Sequence, residues 1–407
     1  MLKKKSLLSL DNIGIAAFCL YIFMSYNAVD LVFSSRVAQL SMYLFFGVGA
    51  LGFLFAFRQI KVGKFLSWYL VFMVYSLLTM LYSKEQSVMN SQFYYMIVAV
   101  VITFFALIFI KTERQFSIIL WCFSLSSFVL CIVLAAEGLL VGDAGERLGN
   151  ELFGNSNTFA WLIMLATFCQ IWLLVYNSKT VFAKILLLAA LILNVYALSL
   201  SGGRKYFVVP FLFLYILFVM KKDKRERKHT IRNTLIIGAI ILFVYYLVMN
   251  VEVLYNGVGV RLESLVEGYT GEGMLDNSAD VRREMQILAL KRWMNRPLFG
   301  NGFDSFKYYS LEVLRQFAYS HCNFTELLHN GGIFGFCIYY YYYFVILKEA
   351  IKNKNILTKY RALAIATIIS MLIFEYGAVT YSTALHILFI ALVGRMMMFE
   401  EEKELCE

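Results

Sequence analysis

The sequence predicts an all-α polytopic membrane helix bundle of about 12 transmembrane helices, with a long extracytoplasmic loop containing amphipathic helices. Three observations carry that prediction. Hydrophobic residues make up 60% of the 407 and charged residues only 16%, with a mean hydropathy of +0.69, a balance that suits lipid rather than water as the main solvent. The apolar runs are helix-length; a hydrocarbon core of about 30 Å takes roughly 20 residues of helix, and backbone polar groups are satisfied there only in helices or closed barrels. Lysine and arginine, finally, fall unevenly between alternate connections, as they do in membrane proteins of fixed orientation.

Windows of that length place spans at 11–28, 35–57, 65–82, 92–110, 116–136, 156–176, 181–200, 206–220, 233–251, 326–347, 361–379 and 381–398. The 206–220 window is short and contains Pro210, and only a short polar-aromatic turn separates the last two; counted differently, the total is ten or eleven. In chain order this gives a transmembrane bundle over 1–251, a large extracytoplasmic loop over 252–325, and a second bundle with a cytoplasmic tail over 326–407, all one membrane domain.

With the N-terminus inside, the cytoplasmic connections hold Lys3 to Lys5, Arg58, Lys61, Lys64, Lys111, Arg114, Lys179, Lys184, the run Lys221 to Arg232, Lys348 to Arg361, Arg395 and Lys403. The short outer loops hold only Arg36, Lys84, Arg147, Arg204 and Lys205, which predicts both termini in the cytoplasm. The net charge of +10 raises nucleic acid as a partner. Its densest basic run, 221–229, is however a short connector between two spans, where an orientation signal beside anionic lipid is the simpler reading. The first apolar stretch lacks a small-residue cleavage site and reads as an anchor. Of the seven cysteines only Cys322 reaches the outer face, so no disulfide framework is expected.

The polar chemistry concentrates outside, in the loop 137–155, the connector SGGRK at 201–205 and the segment 252–325. Within that segment, 281–296 sets Val281, Met285 and Leu288 at helical spacing among Arg282, Arg283, Lys291 and Arg292, the pattern of an amphipathic helix at an interface. The stretch 303–317 repeats the pattern with Phe303, Phe306, Val313 and Phe317, and Pro297, Gly300 and Gly302 between the two predict a tight turn.

Four stretches in order, RLGNELFGNSNTFAWL, LSLSGGRKYF, RPLFGNGFDSF and HCNFTELLHNGGIFGF, resemble motifs of the bacterial O-antigen polymerase and ligase superfamily, which includes capsular repeat-unit polymerases. The resemblance covers about residues 140–345; Ser156 stands where that family usually has proline, and Cys322 where small or amide residues are common. It implies transfer of a glycan from undecaprenyl diphosphate to a sugar hydroxyl, at the outer face of a bacterial cytoplasmic membrane. The implied partners are the undecaprenyl-diphosphate-linked glycan, membrane lipid and other polysaccharide-assembly membrane proteins, with no nucleic acid.

An anionic diphosphate leaving group needs fixed cations, and arginine grips phosphate through paired hydrogen bonds. Arg147 and Arg204 are the short-loop arginines that match the family's patterns. The acceptor hydroxyl needs a base poised near neutral pH, the range of histidine. His321 matches the motif position, eleven residues before Gly332 and fourteen before Gly335. These three are the catalytic candidates; Arg283, Asn157, Lys205 and His329 are the substrate-binding candidates.

His329 would lie about 12 Å further along the same helix, turned by roughly 80°, too far from His321 to share a metal with it. The sequence contains no Asp-x-Asp pair, so transfer is expected to be metal-independent and to use no cofactor. Each candidate has a plainer reading: a histidine near a span start is often an interfacial polar residue, and arginines there often anchor to lipid phosphate. Glu375, an ionisable group inside a span, reads as a structural partner in the bundle, and the tyrosine run 339–343 as an aromatic packing or lipid-facing surface. Rival functions are a ligase, with a lipid A core or wall polymer as acceptor, a polysaccharide transporter or flippase, and a purely structural membrane partner. A transporter should show repeated halves, and none is apparent.

Overall fold

The computed structural model describes residues 9–28, 34–56, 64–83, 91–140, 147–220, 227–270 and 277–398. The basic residues at the N-terminus, Arg58, Lys61, Lys84, most of the run from Lys221, and Lys403 therefore lie outside the described residues, as do parts of the loops 137–155 and 252–325.

Polar residues set where the apolar runs begin as helices. Ser9 accepts the Asn12 N–H ahead of α1 (Leu10–Asn27). Thr112 and Gln115 exchange bonds as a capping box at the start of α5 (Glu113–Ala136), each satisfying a backbone donor that the first turn leaves free. Asn155 caps α7 (Ser156–Trp172) and Thr180 caps α8 (Val181–Leu200). The remaining elements are α2 (Ser35–Ala56), α3 (Lys64–Met80), α4 (Ser91–Phe109), α6 (Asn150–Phe153), α9 (Arg204–Met220), α10 (Arg227–Asn250), α11 (Glu252–Leu254), α12 (Val260–Thr270), α13 (Asn277–Trp293), α14 (Phe306–Leu314), α15 (Asn323–Lys352), α16 (Thr358–Glu375) and α17 (Ala384–Met396). Single π-helical turns, Leu173–Asn177 and Tyr255–Gly259, follow α7 and α11. No strand occurs among the described residues.

Each of the twelve sequence windows thus holds a helix. Among the described residues five helices are long and apolar enough to cross a membrane: Ser35–Phe55, Gln92–Phe109, Glu113–Ala136, Ser156–Asn177 and Val181–Leu200. Counting as one span the pair Thr234–Asn250 and Glu252–Ser264, bent by 94°, makes six. α9 runs unbroken through Pro210.

The chain divides into two compact units, one of residues 1–60 and 108–274, the other of 61–107 and 275–407. In the first unit α7 is the central element, packed by α5, α8 and α9 and buried along almost its whole length. Inside it Asn194 donates to Ser127 (3.1 Å) and Gln170 (3.1 Å), tying α8 to α5 and α7 by the interhelical hydrogen bonds that apolar surroundings favour. The glycines of α1 and α2 admit an aromatic ring there: a Cβ on Gly14 or Gly52 would fall 2.4 or 2.7 Å from the Phe109 ring.

In the second unit α15 is central, packed by α3, α13 and α16. It is broken at Gly332, whose φ of 62° and ψ of −165° leave the helical region. The turn 297–302 repairs the break. Ile333 and Phe334 donate their N–H groups to the carbonyls of Pro297 and Leu298 (2.9 and 3.2 Å), and Asn301 and Gly302 donate to those of His329 and Asn330 (2.8 and 2.9 Å). Groups orphaned by the break thus find partners, as buried backbone must. The expected tight turn is in this sense a splice, and it requires glycine at both ends of the contact. A Cβ on Gly300 would stand 2.5 Å from the Gly332 nitrogen, and one on Gly332 2.3 Å from the Leu298 carbonyl oxygen.

Along α13, Met285 and Ala289 bury against Phe306, with Val281 and Leu288 beside them, so its apolar side meets protein. The stretch 303–317 does not form one amphipathic helix. Phe303 and Phe306 are buried, but α14 ends at Leu314 with Arg315 left-handed, and Val313 and Phe317 are exposed.

The buried carboxylate of Glu375 accepts the hydroxyls of Tyr340 (2.8 Å), Tyr343 (2.8 Å) and Thr380 (2.6 Å), and lies 2.8 Å from His386 Nε2. This joins α15, α16 and α17 through hydrogen bonds that converge on one buried carboxyl group. Within the tyrosine run, Tyr339, Tyr342 and Tyr343 pack inward, while Tyr341 faces out.

Candidate functional site

In the first unit three arginines converge on the turn Ser201–Gly203, between α8 and α9. Arg147 reaches it from the segment before α6. Its Nε donates to the Ser201 carbonyl at 2.8 Å and its guanidinium donates to Asn157 Oδ1 at 3.2 Å, while the Leu148 N–H bonds the Leu200 carbonyl at 3.1 Å. Arg204 is the first residue of α9 and donates to the Arg261 carbonyl at 2.9 Å. These guanidinium bonds run to neutral oxygens and fix the direction of the two arginine side chains.

Arg261 is the residue that sequence reasoning missed. The bend of 94° after Asn250, followed by the π-helical turn, carries α12 back onto Ser199–Gly202. Gly257 permits that approach, since a Cβ there would lie 2.6 Å from the Ser199 carbonyl oxygen. Gly202, at φ 64°, then forms a floor without a side chain: a Cβ on it would stand 3.3 Å from Nε of both Arg147 and Arg261. The only local signal was the Gly257 and Gly259 pair just ahead of Arg261; nothing in the spacing of arginines along the chain indicates the return.

The structure joins Asn157 to this cluster through Arg147. Lys205 is half-buried, its ammonium 5.1 Å from the centre of the Tyr206 ring. Two guanidinium groups thus stand beside one glycine turn and a third bonds the backbone of Arg261, a chemistry that suits an anion with several oxygens, such as a phosphate or diphosphate.

In the second unit His321 stands just ahead of α15, whose N-cap is Cys322, and has a φ of 58°. It is therefore not part of the helix that carries His329, and the helical offset expected between them does not apply. Its ring is half-buried, 4.7 Å from that of Tyr319. Burial raises the Tyr319 phenol above its ordinary range, with the charge of Arg282 opposing. His329 is buried at 1% exposure, edge-on to Phe306 (5.2 Å), with Nδ1 3.0 Å from Asn330 Oδ1. Arg283 is exposed on α13, and it is its neighbour Arg282 whose charge reaches Tyr319 beside His321.

Apolar helices of membrane-spanning length are the mark of a helical membrane protein, and in this one an arginine-lined turn stands where two of the helices meet. Residues 187–340 match the model of the O-antigen ligase family, which supports placing the chain in the O-antigen polymerase and ligase superfamily, whose members transfer glycosyl groups. The matched stretch contains Arg204, Arg261, the splice glycines and both histidines of α15 and its approach; Arg147 and Asn157 lie before it. No curated protein matches the chain.

Proposed function

We propose that this protein polymerises undecaprenyl-diphosphate-linked oligosaccharide repeat units into a capsular or O-antigen type polysaccharide. In this reading it crosses the cytoplasmic membrane about twelve times, with both termini in the cytoplasm, and works at the outer face. The observation that carries the reading is the convergence of Arg147, Arg204 and Arg261 on the glycine turn at 202.

In the reaction, the bond between the anomeric carbon and the diphosphate oxygen breaks as the acceptor hydroxyl oxygen forms a new glycosidic bond to that carbon. The electron pair leaves with undecaprenyl diphosphate, and the arginines stabilise the charge that develops there. His321 takes the acceptor's proton. Arginine supplies this charge without a metal. Arg283, Lys205 and Asn157 contribute to holding donor and acceptor, while His329, buried at 1% exposure, acts only through the residues it packs against.

A ligase would use the same chemistry on a lipid A core or wall acceptor, a reading favoured by the description of the matched family. Glycan length distinguishes these. In cells carrying His321→Ala at normal membrane level, the polymerase reading expects long chains to vanish while single repeats persist on the carrier or acceptor. A ligase defect instead leaves long chains on the lipid carrier and none on the acceptor. An unchanged ladder would refute the histidine's role.

A further inference from the structure

We propose that Glu326 is the positioning residue that holds His321 in place, an inference that rests on His321 being the proton acceptor. Three non-glycine residues among those described have a positive φ: Asp304, Arg315 and His321. Arg315 ends α14, where a left-handed residue is ordinary. His321 instead precedes a helix, and such a conformation persists only where the surroundings enforce it.

The enforcing contacts are specific. Glu326 Oε2 accepts the backbone N–H of Ser320, the residue before the histidine, at 2.7 Å. Ser320 Oγ donates to the Cys322 carbonyl at 3.0 Å and accepts from Thr325 Oγ1 at 2.9 Å. The residues on either side of His321 are thereby fixed, while its own ring stays half-exposed.

The other oxygen of Glu326 is anchored in turn. Asn330 Nδ2 donates to Oε1 at 3.1 Å, and Asn330 Oδ1 accepts the Phe306 N–H at 3.3 Å. Glu326 is 1% exposed, with both oxygens engaged, so it does not itself meet substrate. Its carboxylate connects the splice at Gly332 to the histidine turn. Without it, the Ser320 N–H would be buried and unpaired, a cost relieved by letting the turn relax.

The test measures the carbethoxylation rate of His321 by peptide mass spectrometry on the full chain in detergent micelles, with buried His386 as the internal reporter of an intact fold. Glu326→Ala removes the acceptor, Glu326→Asp withdraws it by one methylene, and Glu326→Gln keeps one acceptor oxygen for the Ser320 N–H while giving up the one that Asn330 donates to. The Ala and Asp variants should alter the His321 rate by about threefold or more as the turn opens, and Gln should restore it. Polymerisation of purified lipid-linked repeats should lose about tenfold or more in kcat in the Ala and Asp variants, with KM for the donor held, and should recover in Gln.

An unaltered His321 rate in both the Ala and Asp variants overturns the proposal, as does failure of Gln to restore it. If His386 becomes reactive in Ala alone, Asp decides. If both lose the fold while Gln keeps it, Glu326 serves the core and the proposal falls. Should the His321 rates shift as expected while His321→Ala still polymerises, positioning stands and the base assignment fails.

Discussion

Gly202 lies against both Arg147 and Arg261, close enough that a Cβ on it would stand 3.3 Å from the Nε atom of each. The turn thus keeps two guanidinium groups at a common distance from one backbone position. A methyl group there must displace them, and φ of 64° adds a backbone penalty of about 1–2 kcal/mol for any L side chain. Gly202→Ala is therefore expected to keep the fold but to weaken pyrophosphate binding to the purified protein by roughly tenfold. Isothermal titration checks this; equal affinity in variant and wild type would mean that the guanidinium pair does not hold the anion.

Part of this site was legible in the sequence and part was not, and the difference is one of range. Arg147 and Arg204 stand in local motifs, and the helices follow from apolar runs that need no partner to be recognised. Arg261 joins them only through a bend of 94° and a π-helical turn, which bring together residues 57 positions apart. The conformation of His321 similarly depends on a carboxylate five residues later, which the motif conceals inside a helical repeat. The glycines at 300 and 302 were readable as a turn, but their partner, the break at Gly332, is non-local. In 303–317 the apolar spacing suggests one helix, whereas Arg315 stops it and leaves Phe317 outside the packed side.

Arg261 gives the next prediction. Its carbonyl receives Arg204 and its guanidinium shares the Gly202 floor with Arg147. Arg261→Ala should lower polymer yield by about 100-fold at unchanged protein level, the scale expected when a group aimed at a developing anion is lost. Lysine restores a charge but not the planar fork, so Arg261→Lys should recover only a minor part. Gel analysis of glycan length, with immunoblotting of the membrane fraction, tests both; wild-type ladders in Arg261→Ala would remove it from the site.

The splice in α15 predicts a stability effect in place of a kinetic one. Gly332→Ala would set a methyl 2.3 Å from the Leu298 carbonyl oxygen at a φ of 62°, and would part the four backbone bonds that mend the helix. The expected loss is about 3 kcal/mol or more, seen as a lower thermal unfolding temperature in detergent and reduced abundance in membranes. Gly138→Ala, at φ 70° but with open space around the Cβ, is the control: it bears the strain alone and should lose markedly less.

Asp304 supplies a pH dependence. It is buried, left-handed, and paired to Lys307 at 2.6 Å; burial pushes its carboxyl up from 3.8 to about 6, with the hydrogen bond and charge of Lys307 pulling the other way. Glu326 and Tyr381 also sense its charge. Because the folded pKa lies above the unfolded one, the protonated form is favoured by folding. Its contribution is full below about 4 and is lost as pH rises through about 6. A shift of this size corresponds to at most about 3 kcal/mol across the window. Asp304→Asn keeps a residue that tolerates the left-handed region and cannot ionise, so its unfolding temperature should fall less between pH 4 and 6 than that of the wild type. Parallel curves for the two proteins would show that Asp304 ionises in the folded state as readily as in the unfolded one, and that Lys307 fully offsets its burial.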